Sequence, residues 1–212
     1  MKFIKKEAKN EPREAIEKRN TPGSTFDDLP KPPLREALLK EQGFICAYCM
    51  QRVKNAGNST KIEHWSPRTK ENEKDYMNLL AVCKGNEGMT GHEHCDTLKK
   101  NQAIIVCPFD KRCEQLVRFD PGGNVYSGDA IIEVELNEIL GLNRQHLVDE
   151  RRKLLDVVRN EIQTAAKSHP DNKIKKADLN SMLRKWQTPN HGKFEPFCQV
   201  AIEYLQKKFR RL

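Results

Sequence analysis

What the chain does not contain narrows its class first. No run reaches the roughly 18 consecutive apolar residues that a membrane-spanning helix needs, so membrane insertion is not expected. The Lys-rich start Met1-Lys2-Phe3-Ile4-Lys5-Lys6 leads into charges rather than an apolar stretch, which argues against an export signal and for a cytoplasmic protein. There is no internal repeat and no low-complexity tract, which leaves 212 residues for one good-sized domain or two small ones. An even disulfide framework is also missing. The seven cysteines are an odd number, and in a reducing compartment clustered cysteines more often mean metal than disulfides.

What is present is soluble and basic. Apolar residues make up 37% and charged residues 32%, enough for a core under a well-solvated surface. The net charge of +8 and a pI near 9.1 favour a polyanionic partner, because Lys and Arg that neutralise phosphates release counterions. A solvated basic surface with no partner is the plainer alternative.

Three regions follow from the punctuation of the chain. Residues 1–33 form an arm that is charged and rich in turn formers, with Thr21-Pro22-Gly23-Ser24 and Pro30-Lys31-Pro32-Pro33 breaking any long helix, and is expected to be only partly ordered. Residues 34–130 form the central domain. It opens with a short amphipathic helix on Leu34, Ala37, Leu38 and Leu39, capped near Gly43, and then has strands expected at Thr60 to Glu63 and Val125 to Ser127, an apolar piece at Leu79 to Val82, and a helix starting near Asp96. Residues 131–212 are helical. Leu147, Leu154, Leu155, Val158 and Ile162 mark a long helix with Asn143 as its N-cap, and shorter helices are expected at 176–186 and 195–209 on either side of Thr188-Pro189-Asn190-His191-Gly192.

The chemistry concentrates in the centre. Cys46-x-x-Cys49 is a spacing that lets two thiolates on one tight turn share a tetrahedral zinc. Cys83 and Cys95 are the best second pair, although eleven residues, Lys84 to His94, intervene where a Cys-x-x-Cys would be usual. That Gly-rich insert carries His92 and His94, either of which could replace a thiol. Cys107, Cys113 and Cys198 read as free or buried thiols. Between the two cysteine halves lie Glu63-His64, then Pro67 and Asn78; Asp96 and Lys99 follow directly after Cys95. Histidine titrates near working pH and suits a general base. Glu63 and Asp96 offer hard oxygens of the kind that Mg²⁺ or Mn²⁺ takes, and Asn78 offers an amide able to bond loop backbone. On a regular strand Glu63 and His64 would face opposite ways, so both reach one centre only at a break such as Pro67 provides.

Residues 44–100, with this motif inside a cysteine frame, resemble the HNH or ββα-metal endonucleases. Phe26-Asp27-Asp28, the phrase Glu41-Gln42-Gly43-Phe44-Ile45-Cys46-Ala47-Tyr48-Cys49, the His94-Cys95-Asp96 junction and Leu136-Asn137-Glu138-Ile139-Leu140-Gly141-Leu142-Asn143 make the whole chain similar to the HNH nucleases of Septu anti-phage systems and some retrons. The resemblance implies an α+β fold: a zinc-stabilised ββα-metal core between an N-terminal arm and a helical C-terminal region. It implies His64 as the base, Glu63 and Asp96 on a catalytic Mg²⁺ or Mn²⁺, Asn78 as loop organiser and Lys99 as a phosphate contact. Cys46, Cys49, Cys83 and Cys95 would hold structural zinc. The implied partners are DNA in the first place or RNA such as tRNA, an SMC/ABC-like ATPase subunit, and in the retron case a reverse transcriptase with its nucleic acid. Asp96 departs from the family's His or Asn. A zinc-stabilised nucleic-acid-binding or adaptor protein without catalysis is the alternative, since it needs the cysteines and the charge but not the carboxylates and His64.

Overall fold

The computed structural model describes residues 1–212 and is α+β. At its centre is an antiparallel hairpin of β1 (Thr60–His64) and β2 (Leu79–Cys83), in register from Thr60 opposite Cys83 to His64 opposite Leu79. Every residue of β2 is buried. Both faces of the strand are covered, so its sequence reads as one apolar run with no alternation.

Helix α1 (Arg13–Arg19) precedes α2 (Lys31–Glu41), which packs Leu34, Leu38 and Leu39 against the hairpin. Pro32 and Pro33 fall in the first turn of α2, where a missing amide donor costs nothing. The proline run therefore starts this helix three residues ahead of Leu34. Gly43 follows with φ +61°, and a Cβ there would lie 2.4 Å from the Phe194 ring, so glycine is required by both backbone and space. Next to it Gln42 is buried and acts as a substitute strand: its amide donates to the Ala81 carbonyl at 2.7 Å and accepts the Ala81 N–H at 2.8 Å.

Beyond the hairpin come α3 (Asp96–Lys99), α4 (Cys113–Leu116) and a second small hairpin, β3 (Arg118–Phe119) with β4 (Val125–Tyr126), turned by Asp120-Pro121-Gly122-Gly123. Helix α5 (Ala130–Val134) runs into a π-helical turn, and α6 (Gln145–Lys167), α7 (Lys176–Gln187) and α8 (Cys198–Phe209) complete the chain. No helix is long and apolar enough to cross a membrane.

Three local expectations are corrected. The first 33 residues are not a loose arm: Met1, Ile4, Ala15, Phe26 and Leu29 are buried in the same core as β2 and α8. Lys6 pins them down, since its ammonium lies 2.9 Å from Glu41 and 3.6 Å from the Tyr76 ring centroid, with both ion-pair side chains 3% exposed. Asn143 does not cap α6. Its side chain accepts from Val125 N–H and donates to Val125 C=O, both at 2.8 Å, which uses the amide on β4 and leaves Arg144 at the helix entrance. Helix α8 starts at Cys198 rather than near 195, because Phe197 sits in the left-handed region at φ 56°.

Arg151 of α6 ties these parts together. It is 1% exposed and donates to the carbonyls of Gly123 (2.5 Å) and Leu142 (2.7 Å) and to the Asn143 Oδ1 (3.3 Å). Burial pushes its pKa down to about 10. Arg151→Met is expected to strand these acceptors and cost about 2–4 kcal/mol in urea unfolding, since buried groups that lose a charged donor pay their desolvation in full. Parent-like unfolding would show that the guanidinium is dispensable.

Candidate functional site

The four-thiol frame begins in the turn after α2. Cys46 and Cys49 are brought round by the Met50 N–H bonding to the Cys46 carbonyl at 3.0 Å, with Met50 at φ 66°. The other two thiols come from far apart in the chain. Cys83 ends β2, and the insert Lys84 to His94 closes back on itself where His94 N–H meets the Gly85 carbonyl at 3.0 Å. Gly85 has φ +57°, and a Cβ there would lie 2.0 Å from the His94 carbonyl oxygen, so this closure needs glycine. Cys95 then enters α3 at φ 54°.

The four sulfurs lie within 4.8 Å of one another, and all four residues are buried. Cys46 and Cys95 Sγ are 3.8 Å apart, Cys49 and Cys83 Sγ 3.7 Å. Four thiolates at the usual zinc distance on a tetrahedron stand about 3.8 Å apart, so the donor set fits zinc and is too open for a disulfide. All seven cysteines are free. Burial alone would raise the Cys46 pKa, but hydrogen bonds from Cys49, Cys83 and Cys95 outweigh it and hold that thiol well below its ordinary value. Burial pushes the Cys49 and Cys95 thiols well up.

Neither histidine of the insert displaces a thiol. His92 is exposed, while His94 is buried beside the cluster with Nδ1 3.2 Å from Cys95 Sγ and its ring 5.0 Å from that of His146. Cys107, Cys113 and Cys198 lie outside the group.

A second centre forms where β1 meets α3. Glu63, 5% exposed, receives Lys99 Nζ at 2.7 Å and lies 3.4 Å from the Tyr48 hydroxyl. Asp96 is within hydrogen-bonding reach of the same carboxyl. Burial first, then the Asp96 carboxyl, push the Glu63 pKa up to about 8, against the opposing pull of Lys99. The repulsion between two such close carboxyls is offset in part by the Lys99 ammonium on Glu63. Lys61 adds a partial answer, with Nζ 3.5 Å from Asp96.

Lys99 differs from its expected role as a phosphate contact. It is fully buried and spends its donors on Glu63 and, at 3.1 Å, on the His64 carbonyl, because α3 is one turn long and presses its last residue against β1. Asn78 brackets the loop after β1: its Oδ1 accepts from Ser66 N–H at 2.8 Å and its Nδ2 donates to the Ser66 carbonyl at 3.1 Å.

The His64 side chain has surroundings separate from those of Glu63, as alternation on a strand requires. Its Nε2 lies 2.8 Å from the Glu73 carbonyl, and its ring meets Phe26 edge-on at 4.6 Å. A carbonyl only accepts, so Nε2 carries the proton and Nδ1 is left as the basic nitrogen. Burial holds the imidazole pKa below its ordinary value. No hydrogen bond joins His64 to Glu63 or Asp96; they flank the end of β1 from two sides.

Tyr48, Lys61 and Phe26 belong to this site and were not singled out in the sequence as members. Tyr48 was findable inside Cys46-x-x-Cys49, and Lys61 lies two residues from Glu63 on the same strand face. Phe26 figures in the sequence only within Phe26-Asp27-Asp28, with nothing to place it against His64.

No family model matches the chain, and no curated protein matches it in sequence. The fold and the site define an α+β protein with a buried four-thiol centre suited to structural zinc.

Proposed function

We propose that the chain is a metal-dependent endonuclease of the HNH type that hydrolyses phosphodiester bonds. The observation that carries this reading is the end of β1, where His64, its Nε2 held on the Glu73 carbonyl, lies on one side of the strand and the crowded Glu63 and Asp96 carboxyls on the other. The succession β1, β2, α3 on a four-thiol frame supports it further.

In this reading His64 Nδ1 takes a proton from water as the oxygen attacks phosphorus, while Nε2 stays on the Glu73 carbonyl and keeps the tautomer correct. Glu63 and Asp96 would hold Mg²⁺ or Mn²⁺, which supplies neutralisation of charge on the phosphate and the leaving oxygen. Lys99 holds Glu63 in place, and Asn78 keeps the Ser66 turn from drifting off β2. The phosphodiester is common to DNA and RNA; DNA is the first choice, on basic charge and resemblance. The similarity to Septu and retron nucleases extends the reading to an anti-phage effector working with an SMC/ABC-like ATPase.

The test is cleavage of labelled plasmid DNA and of total tRNA, with Mg²⁺ or Mn²⁺ and with EDTA, in the presence and absence of an ATPase encoded beside it. Asp96→Ala is expected to lower cation-dependent cutting by roughly 10²-fold or more, the scale of losing an electrostatic group in catalysis. Nucleic-acid binding without cutting under every condition would favour a zinc-stabilised adaptor instead.

A further inference from the structure

The N-terminal segment before α2 does more than fill the core. Phe26 is 8% exposed and sits against the His64 imidazole, which is itself 8% exposed, so a phosphodiester has no way to the ring as it stands. Two cations share the aromatic ring: Lys31 Nζ is 3.7 Å from its centroid and the Arg68 guanidinium 5.2 Å. Arg68 also reaches the Asp27 carboxylate at 3.5 Å and Glu73 at 2.7 Å. Lys74 reaches back to the Arg19 carbonyl and the Ser24 hydroxyl, both at 3.0 Å. An aromatic ring and a carboxylate of the segment thus lie on Lys31 and Arg68, as the base or sugar and the phosphate of a nucleic-acid strand would.

The segment is also lightly held. Residues 20–28 are exposed or half-buried apart from Phe26, and Asp27 is 78% exposed. It is braced internally by the Thr25 N–H and hydroxyl, both bonded to Asp28 at 2.8 and 2.9 Å, and its outward ties are the Lys74, Arg68 and Lys31 side chains, so it can lift as a unit without breaking the β1–β2 ladder.

We propose that Ser24–Asp28 is a strap that stands in for a nucleic-acid strand over His64, and that its opening exposes the imidazole and releases Lys31, with Arg68 still held by Glu73 beside it, to take phosphate. This rests on the nuclease reading of His64, and the experiment separates the two.

Carbethoxylation of the full chain by diethyl pyrocarbonate, read by mass spectrometry at each histidine, reports access to His64 without reference to cleavage. In the parent, His64 is expected to react at least about tenfold more slowly than exposed His191, because reaction waits on a local opening. Phe26→Ala is expected to bring the two rates together and to raise cleavage. Hydrogen exchange on the unaltered protein gives a second measure: residues 20–29 exchange while β1 and β2 remain protected. The strap is overturned if parent His64 reacts like His191, if Phe26→Ala leaves it slow, or if the segment exchanges only with the hairpin. Faster carbethoxylation with lower cleavage would also overturn it, making Phe26 a support for the imidazole. A faster reaction in a protein that never cuts keeps the cover over His64 and removes the nuclease reading.

Discussion

His64→Ala is expected to lower cleavage by roughly 10²–10⁴-fold, the usual contribution of a general base, while the protein stays folded and keeps its zinc. The expectation follows from where the ring is held. Its one hydrogen bond goes to the Glu73 carbonyl, and its ring contact is with Phe26, neither of which touches the four thiols. Losing one neutral hydrogen bond and part of one aromatic contact costs about 1–2 kcal/mol, which a folded domain tolerates. Zinc content, circular dichroism and cleavage on one preparation check the claim together. Full cleavage by the variant would remove His64 from the mechanism.

Cys46→Ser should behave in the opposite way, striking the fold before the chemistry. Cys46 is fully buried, lies 3.8 Å from Cys95 Sγ and anchors the turn to Cys49 through the Met50 N–H on its carbonyl, so its loss opens the frame. Structural zinc in small domains is worth about 10–16 kcal/mol in apparent binding free energy, comparable to the whole stability of a typical domain. Weakening it removes the tie between the turn after α2, the end of β2 and the start of α3. Zinc per chain should fall well below one by elemental analysis, and the cooperative melting transition should move far down or disappear. Retained zinc and parent-like melting would show that the ligand set is wrong.

Particular residues show how much was legible in advance. β1 could be read as a strand at Thr60 to Glu63 between turn formers, and β2 was visible only as an apolar piece at Leu79 to Val82. Cys46 and Cys49 could be paired because both lie on one turn. Asn143 was misread as a helix cap because a side-chain amide serves a helix end or a strand edge equally well, and only the approach of Val125 decides between them. Lys99 was expected on a phosphate because a lysine one turn into a helix usually reaches outward; the shortness of α3 and the buried Glu63 carboxyl draw it inside.

The sequence by itself determined the elements whose causes are local: the hairpin strands, the stripe of α6, the proline start of α2 and the kinds of side chain available for metal and proton chemistry. Only the tertiary structure decided which of them meet. Cys83 and Cys95 close on Cys46 and Cys49 across an eleven-residue insert, Glu63 shares its pocket with Lys99, and Phe26 lies on His64 from 38 positions away (64 minus 26). Local periodicity carries no record of such distances. They are set when apolar segments remote in the chain bury their surfaces together, and the polar groups caught at the seams must then find partners among whatever neighbours that burial supplies.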